Sequence, residues 1–506
     1  MEARADEANV RTRIARRLEW PVLGATVFAL ASLAWFVREH AYSLYDDAFI
    51  YLRFVHHVKA GCGLRWNCND APVEGFSGPL YLALLVAGSR VTSKLVTLTQ
   101  VLGSIGVAGA LALAISGAAQ PFERTRRPER AMAAIAVALL LGLDHFVLLN
   151  AVIGLETALA ACAATAVLVA VTADARRLTI AMAFVLALLR PEGVIFVLLL
   201  PMLRWARTPR VLGACLGGLV AIALARWSIF HDVVPNTYWA KSGGSARHFE
   251  LGAAYLVDAA RDFPAIFLAP LALAWRSRRE SAAYFLAASG LWSLSVVRAG
   301  GDTFSYSRLL FPLVPALTVL AVRGAMAFGR APAEQARVVR VATAAAAALG
   351  VRAAVAHAIP EAHGFENVML WTAVGKHLKA HYPGKTVATV PVGAIGYFSQ
   401  LEVLDLVGLN SREIARAGRT VPPELLTRTW IGHERHDLEY TLSRAPDLVV
   451  TTRVRATPWQ TLEEASAGFW ADRLLLGAAR TGGAPYRVED LPIANGVHVL
   501  ALARTE

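Results

Sequence analysis

The chain has 506 residues, of which 56% are hydrophobic and only 17% are charged. Soluble domains rarely contain so large an apolar fraction, so the composition argues against an ordinary soluble enzyme and indicates a membrane protein. The formal net charge of +12 lies in short arginine clusters between apolar runs. This pattern is typical of cytoplasmic loops and argues against nucleic-acid binding.

Apolar runs that could cross a bilayer recur through the first 360 residues. Lys and Arg are about three times as dense in one set of alternate loops as in the other, which predicts a multi-pass protein of the cytoplasmic membrane with its N-terminus inside. Residues 79–89 are interpreted as an interfacial helix, because counting them as a span breaks this charge pattern. The eleven predicted spans are 22–37, 95–117, 131–149, 154–172, 178–189, 192–203, 211–229, 263–275, 281–297, 309–322 and 341–357.

The apolar stretch 178–203 contains Arg190, Pro191 and Glu192 near its middle. A charge at the bilayer centre costs about 3 kcal/mol on insertion scales, and proline removes a backbone donor. We therefore predict two short helices with these three residues at their outer tip. Broken helices of this kind are tolerated where they line a cavity.

Residues 358–506 differ from the preceding 1–357, because their apolar runs are shorter and proline and charge are more frequent. This composition predicts an extracytoplasmic mixed α/β domain after an all-α transmembrane domain whose first outer loop, 39–93, is catalytic. The predicted strands are Lys385–Ile395, Glu402–Val407, Asp447–Thr452 and Val497–Ala503. The predicted helices are 366–381 and 459–475.

The polar clusters that apolar packing does not explain all fall at predicted outer ends of spans. The first is Asp46-Asp47, which precedes a stretch, 47–58, with the periodicity of an interfacial amphipathic helix. An N-cap needs one Asp and not two. The adjacent His56 and His57 point about 100° apart on a helix and do not suit a shared metal ion. Cys62 and Cys68, in the same loop, are compatible with either a disulfide or two free thiols.

Eight motif-like segments follow one another over most of the chain. They are DDAFIYLRFVHHVKAGCGLRWN (46–67), VEGFSGPLYLALL (73–85), GLETAL (154–159), LLRPEG (188–193), PNTYWAK (235–241), GGDTFSYSRLLFPLVP (300–315), VGAIGYFSQLEVLDLVGLN (392–410) and IGHERHDLEYTLSRAPDLVV (431–450). Taken together, they resemble the GT-C class of integral-membrane glycosyltransferases, and most of all the terminal β-arabinofuranosyltransferase family of bacterial cell-wall synthesis. The spans 211–229 and 341–357 carry no matching motif.

The resemblance implies an inverting transfer of a sugar, such as the pentofuranose arabinose, from a polyprenyl-phosphate donor. The acceptor is a cell-envelope glycan or glycolipid at the outer face of the cytoplasmic membrane. It also implies a catalytic aspartate in the first outer loop. Asp46 is preferred as the base and Asp47 as the group that positions the acceptor or a cation, with the reverse order left open. Arg190, Lys241 and Arg308 are the predicted ligands of the donor phosphate.

The remaining polar residues of the outer clusters are predicted to contact substrate. The reaction demands no cofactor, and a divalent cation is left open. No metal ligand is predicted, since Gly432-His433-Glu434-Arg435-His436 lacks the HExxH spacing. The predicted substrate-binding residues are His56, Glu74, Ser77, Glu156, Glu192, Asn236, Tyr238 and Asp302.

Two other functions remain open. A flippase or transporter of lipid-linked sugars would suit broken helices and intramembrane charges. The absence of repeat symmetry in the sequence and the acids gathered on one side favour the enzyme. A glycan-binding scaffold without catalysis is the third alternative, and the intact Asp46-Asp47 pair argues against it.

Overall fold

The computed structural model describes most of the chain. The described residues are 20–40, 44–120, 127–241, 243–303, 307–328, single positions between 334 and 348, 365–422, 426, 431–455, 486–493 and 496–505. The predicted span 341–357, the predicted helix 459–475 and the predicted domain boundary at 357 lie largely or wholly outside them.

The N-terminal part of the described chain is helical. Short 3₁₀ segments connect some of its helices, notably Pro191–Gly193, Leu200–Met202, Ala269–Ala274 and Phe311–Leu313. Its helices are α1 (Trp20–Glu39), α2 (Asp46–Lys59), α3 (Pro79–Gly88), α4 (Leu95–Ala118), α5 (Arg127–Gly142), α6 (His145–Leu149), α7 (Thr157–Thr172), α8 (Arg176–Leu189), α9 (Val194–Leu198), α10 (Pro209–Phe230), α11 (Asn236–Ala240), α12 (Ala246–Asp262), α13 (Ala265–Leu268), α14 (Arg279–Arg298) and α15 (Val314–Phe328).

Ten of the eleven predicted spans overlap these helices, and three helices, α1, α4 and α10, are long and apolar enough to cross a membrane. The number of spans therefore stays a prediction. The predicted span 131–149 is interrupted, because the Asp144 side chain accepts hydrogen bonds from the backbone N–H groups of Phe146 and Val147 and starts a new helix.

The predicted break in 178–203 is confirmed. Helix α8 ends at Leu189, Arg190 has an extended backbone, and a 3₁₀ turn begins at Pro191. The predicted helices at 47–58 and 79–89 are also present, as α2 and α3. Helix α2 differs from the expected interfacial helix, because its Arg53 is buried rather than exposed.

The described C-terminal part contains both helices and strands. It contains a five-stranded sheet of order β2-β1-β5-β7-β6 and a two-stranded ribbon of β3 and β4. The pairs β1–β2 and β1–β5 are parallel, whereas β5–β7 and β6–β7 are antiparallel. The elements are α16 (Phe365–His381), β1 (Thr386–Thr389), α17 (Val392–Ser399), β2 (Glu402–Asp405), α18 (Arg412–Ala417), β3 (Arg419–Thr420), β4 (Arg435–His436), α19 (Leu438–Ser443), β5 (Leu448–Arg455), β6 (Tyr486–Ile493) and β7 (Val497–Arg504).

The strand predicted over Lys385–Ile395 is too long. Strand β1 ends at Thr389, and Pro391 starts helix α17 instead. Gly393 allows this helix to approach α2, since a Cβ atom at Gly393 would lie 2.0 Å from the backbone oxygen of Asp46. The apolar run was read as one strand, but its second half is the helix that contacts the N-terminal part of the protein.

Candidate active site

A cavity of about 590 Å³ lies where the helical part meets the C-terminal part. Helices α9 and α10 contribute mainly apolar residues to its lining. The C-terminal part contributes Leu409, Ile431 and Gly432. The charged residues of the lining are Asp47, Glu156, Arg190, Glu192, Arg226, Lys241, Arg298, Asp302 and Arg308.

Asp47 and Asp302 share the buried guanidinium of Arg308. The Nη2 atom of Arg308 donates to Asp47 Oδ2 at 2.9 Å, and its Nε atom donates to Asp302. Burial acts to raise the pKa of Asp47, but the charges of Arg308, Lys241 and His433 outweigh it and lower that pKa. Asp47 is therefore an ionised carboxylate on the cavity wall, where it can accept a proton or a hydrogen bond.

A second ion cluster forms at the break between α8 and α9. Arg190 donates to Glu156 at 2.9 Å and to Glu192 at 3.2 Å. Glu156 also accepts a hydrogen bond from Tyr51, whose hydroxyl accepts one from the backbone N–H of Gly78. These contacts tie the helix break to α2 and to the loop before α3, so the predicted outer clusters do converge in the folded chain.

Lys241 differs from these arginines. Its Nζ atom has no hydrogen-bond or ion-pair partner within the described part of the chain, although it lies in the same cavity. Gly432 packs against its aliphatic stem, since a Cβ atom at Gly432 would contact Lys241 at 3.4 Å. A half-buried ammonium with free donors is suited to bind a phosphate.

Asp46, in contrast, faces away from the cavity. Its carboxylate accepts hydrogen bonds from the backbone N–H groups of Gly393 at 2.9 Å and Ala394 at 2.7 Å, in the first turn of α17. Burial raises the pKa of Asp46 to about 7 despite these hydrogen bonds. The preference for Asp46 over Asp47 as the base is therefore not supported by their positions: Asp46 holds the C-terminal part and Asp47 faces the cavity.

Arg53 makes the corresponding contact at the other end of α17. It donates to the backbone oxygens of Gly396 and Leu401, and to the side chain of Asn67. Asp46 and Arg53 are seven residues apart, so they lie on the same face of α2 two turns apart. Asp46 contacts the N-terminus of α17, and Arg53 contacts its C-terminus. A negative charge at the first end and a positive charge at the second both interact favourably with the dipole of that helix.

The loop between α2 and α3 covers the edge of the C-terminal sheet. Cys62 and Cys68 form a disulfide, which resolves the alternative left open above. Within this closed loop, Trp66 donates from its indole N–H to the backbone oxygen of Val403 at 2.8 Å. Asn67 exchanges hydrogen bonds with both the N–H and the oxygen of Val403, in place of a neighbouring strand. The edge strand β2 is thereby paired.

Three predicted substrate-binding residues do not line the cavity. His56 is exposed on α2, on the side away from it. Asn236 is buried and donates from Nδ2 to the backbone oxygens of Gly408 and Leu409, both at 2.9 Å, so it holds the C-terminal part. Glu74 lies behind the wall as the partner of Arg226. Ser77, Glu156, Glu192, Tyr238 and Asp302 do line it.

Sequence reasoning missed three lining residues with functional groups, Tyr51, Arg226 and Arg298. Arg226 is on α10, where the sequence carries no recognisable motif. The available sequence signal for Arg226 was that a lone arginine lies within an apolar helix. Among the described residues, no group of three or more His, Cys, Asp or Glu side chains is placed to hold a metal ion.

The fold as a whole is similar to that of a solved glycosyltransferase. ArnT from Cupriavidus metallidurans in the apo state superposes with a TM-score of 0.50 at 13% identity, over 96% of this chain and 97% of that one. The chain has the GT-C fold. The same ArnT bound to undecaprenyl phosphate gives a TM-score of 0.49 at 14% identity, over 96% and 97% of the two chains.

Arabinofuranosyltransferase AftD from Mycobacteria gives a TM-score of 0.46 at 15% identity and covers 95% of this chain but 40% of AftD. Residues 358–488 match the model of a domain of unknown function, DUF8728. No curated protein sequence matches the chain significantly. The GT-C resemblance that the motifs indicated is thus confirmed at the level of the fold.

Proposed function

We propose that this chain is an inverting glycosyltransferase that takes its sugar from a polyprenyl-phosphate donor. The observation that carries the proposal is the arrangement of one cavity, in which the ionised Asp47 lies close to the unpaired ammonium of Lys241 and beside an apolar wall. A base, a phosphate ligand and a surface for an isoprenoid chain are the three features that such a reaction needs.

Asp47 is the proposed general base, in place of the initially preferred Asp46. It takes the proton of an acceptor hydroxyl while that oxygen forms a bond to the anomeric carbon. The bond from this carbon to the phosphate oxygen breaks, and the electron pair leaves on the polyprenyl phosphate. Lys241 and Arg308 stabilise the charge that develops there, and Arg190 acts at longer range. No general acid is needed, since a phosphate leaves as an anion.

Helix α10 supplies the wall for the lipid. Leu219, Ile222 and Ala223 form one helical stripe that lines the cavity, whereas Leu216, Val220, Leu224 and Trp227, on another side of the helix, are exposed. The helix therefore separates the cavity from the surroundings, which for an apolar helix of this length is the bilayer. ArnT, whose apo form shares the fold, has also been crystallised with undecaprenyl phosphate.

The proposed location is the outer face of the cytoplasmic membrane, with the C-terminal part outside. Nucleotide sugars do not cross the membrane, so an external site needs a lipid-linked donor. The Cys62–Cys68 disulfide supports an oxidising compartment for the first loop. A pentofuranose such as arabinose is the proposed sugar, and a cell-envelope glycan or glycolipid is the proposed acceptor, as the sequence motifs imply.

The test is reconstitution in proteoliposomes with radiolabelled polyprenyl-phosphate sugars, pentofuranose and hexose, and a cell-envelope extract as acceptor. We expect transfer from one of these donors and its loss in Asp47→Asn, with the variant still folded in its melting curve. Movement of a fluorescent polyprenyl-phosphate sugar across the vesicle is measured in parallel. A protein that moves this lipid equally well with and without Asp47, and transfers no sugar, would be a flippase, and the proposal would be wrong.

A further inference from the structure

Three buried arginines reach the cavity, and they differ in how fully they are paired. Arg190 contacts two carboxylates, those of Glu156 and Glu192, and Arg308 likewise contacts two. Among the described residues, Arg226 hydrogen-bonds only to Glu74, and only through Nε, which lies 3.2 Å and 3.1 Å from the two carboxylate oxygens. The terminal nitrogens of Arg226, Nη1 and Nη2, take no part in this contact.

These nitrogens have no acceptor among the residues that the structure describes. Arg226 is 9% exposed, and its Nη2 atom is shielded from solvent although the side chain lines the cavity. A buried charged donor without a partner is unfavourable, because it has lost its hydration without gaining a hydrogen bond in return. The planar edge of a guanidinium binds carboxylate and phosphate groups through two parallel hydrogen bonds. The free edge of Arg226 is therefore a site for an oxyanion.

The charges around Arg226 form a group separate from those around Asp47. Burial raises the pKa of Glu74 to about 7, and the charged groups that act on it are Arg226 and Asp232. Those that act on Asp47 are Arg308, Lys241 and His433. The Arg226–Glu74 pair is thus distinct from the two ion clusters around Arg308 and Arg190.

A polyprenyl monophosphate has a single phosphate, and that phosphate is attached to the carbon that the acceptor attacks. The donor phosphate must therefore lie no further from Asp47 than the width of one sugar ring, next to Lys241 and Arg308. A second oxyanion site in the same cavity is left for the other substrate.

We propose that Arg226, positioned by Glu74, binds a carboxylate or phosphate group of the acceptor, so that the acceptor is an acidic glycan or glycolipid. This inference rests on the proposed function. It narrows the acceptor to a class that contains a uronic acid or a phosphorylated sugar, and it assigns Arg226 as the residue that selects this class over neutral glycans.

The test uses the full-length protein in lipid nanodiscs and two kinds of probe. The first is undecaprenyl phosphate, and the second is a matched set of methyl glucoside, methyl glucuronide and methyl glucoside 6-phosphate, with affinities from ligand-observed NMR. We expect the wild type to bind at least one anionic glycoside about tenfold more tightly than the neutral one, equivalent to about 1.4 kcal/mol. We expect Arg226→Gln to remove this preference and to leave undecaprenyl phosphate binding unchanged.

Arg210→Gln is the matched control, because Arg210 is an exposed arginine on the same helix and outside the cavity. If Arg226→Gln unfolds, Arg226→Lys is the variant that tests the inference. It keeps the positive charge but loses the planar guanidinium edge, so it should reduce the preference for anionic glycosides several-fold. Three results would overturn the inference: no anionic preference in the wild type, a preference that survives both Arg226 variants, or weakened undecaprenyl phosphate binding, which would place Arg226 in the donor site. A different result would contradict the proposed function itself, namely that the wild type does not bind undecaprenyl phosphate.

Discussion

The two faces of helix α2 contact different parts of the molecule. On one face, Asp46, Phe49 and Arg53 lie at i, i+3 and i+7 and contact α17, with Phe49 packing 5.3 Å from the ring of Phe398. On the other face, Asp47 and Ile50 line the cavity. Adjacent residues on a helix point about 100° apart, so one residue separates the two roles.

This difference explains why the chain has two neighbouring aspartates. The carboxylate of Asp46 is saturated by backbone donors, and burial raises its pKa to about 7. The carboxylate of Asp47 has a lowered pKa, since the charges of Arg308 and Lys241 and the hydrogen bond from Arg308 outweigh its burial. The first fixes the C-terminal part on the helix, and the second is available to a substrate. The position of the base in the cavity therefore depends on the contact made on the other face.

The contrast is sharpest in a comparison of Asp47→Asn with Asp46→Asn. Loss of a general base lowers catalysis by about 10²–10⁴-fold, so we expect Asp47→Asn to lower kcat by that factor while the protein stays folded. Asp46→Asn should instead lower thermal stability, because an amide nitrogen would face one of two backbone N–H groups, and should leave more residual activity. Transfer rates and melting curves of the two purified variants provide the measurement. A larger loss of kcat in Asp46→Asn at equal stability would reverse the assignment.

Arg53→Gln tests the face that contacts α17. The variant loses a buried charge that donates to two backbone oxygens, so we expect a loss of about 2–4 kcal/mol in the stability of this contact. Hydrogen exchange at residues 393–401 is the measurement, and faster exchange is the expected result. His56→Gln is the control, because His56 is exposed on the same helix. Equal exchange in Arg53→Gln and wild type would mean that the two parts are held together elsewhere.

The sequence was sufficient for features that depend on local pattern and insufficient for those that depend on distant contacts. Helix α2, the break at Arg190 and most C-terminal strands were predicted, because periodicity and proline act within a few residues. The separate roles of Asp46 and Asp47 could not be predicted, since they follow from a contact with Gly393, far along the chain. Strand β6 was missed because YRVEDLPI lacks regular alternation, which an edge strand tolerates.

Lys241→Gln tests the cavity face without touching the base. Loss of one unpaired cation near the leaving phosphate should raise KM for the donor about tenfold, which corresponds to about 1.4 kcal/mol, and should change KM for the acceptor little. Steady-state kinetics with each substrate varied in turn separate the two constants. Arg298→Gln is the control, an exposed cation at the cavity rim. An effect confined to the acceptor would assign Lys241 to the other substrate.

The smallest expected effect is a dependence of thermal stability on pH. Because the folded protein raises the pKa of Asp46 from 3.8 to about 7, the folded state binds a proton more tightly than the unfolded state does. The stabilisation is therefore complete below about pH 4 and is lost as the pH rises toward 7. We expect the melting temperature to fall by a few degrees over this interval. Glu74 acts in the same direction, since burial also raises its pKa to about 7.

Asp46→Asn removes one of these two titrating groups and should flatten the slope of melting temperature against pH by about half, although it lowers stability at every pH. Glu74→Gln should remove much of the rest. Asp47→Asn is the informative control, because the lowered pKa of Asp47 gives a dependence of the opposite sign, with stability lost as the pH falls through its folded pKa. If Asp46→Asn and Asp47→Asn change the slope in the same direction, the two aspartates do not lie in the different environments that separate the two faces of α2.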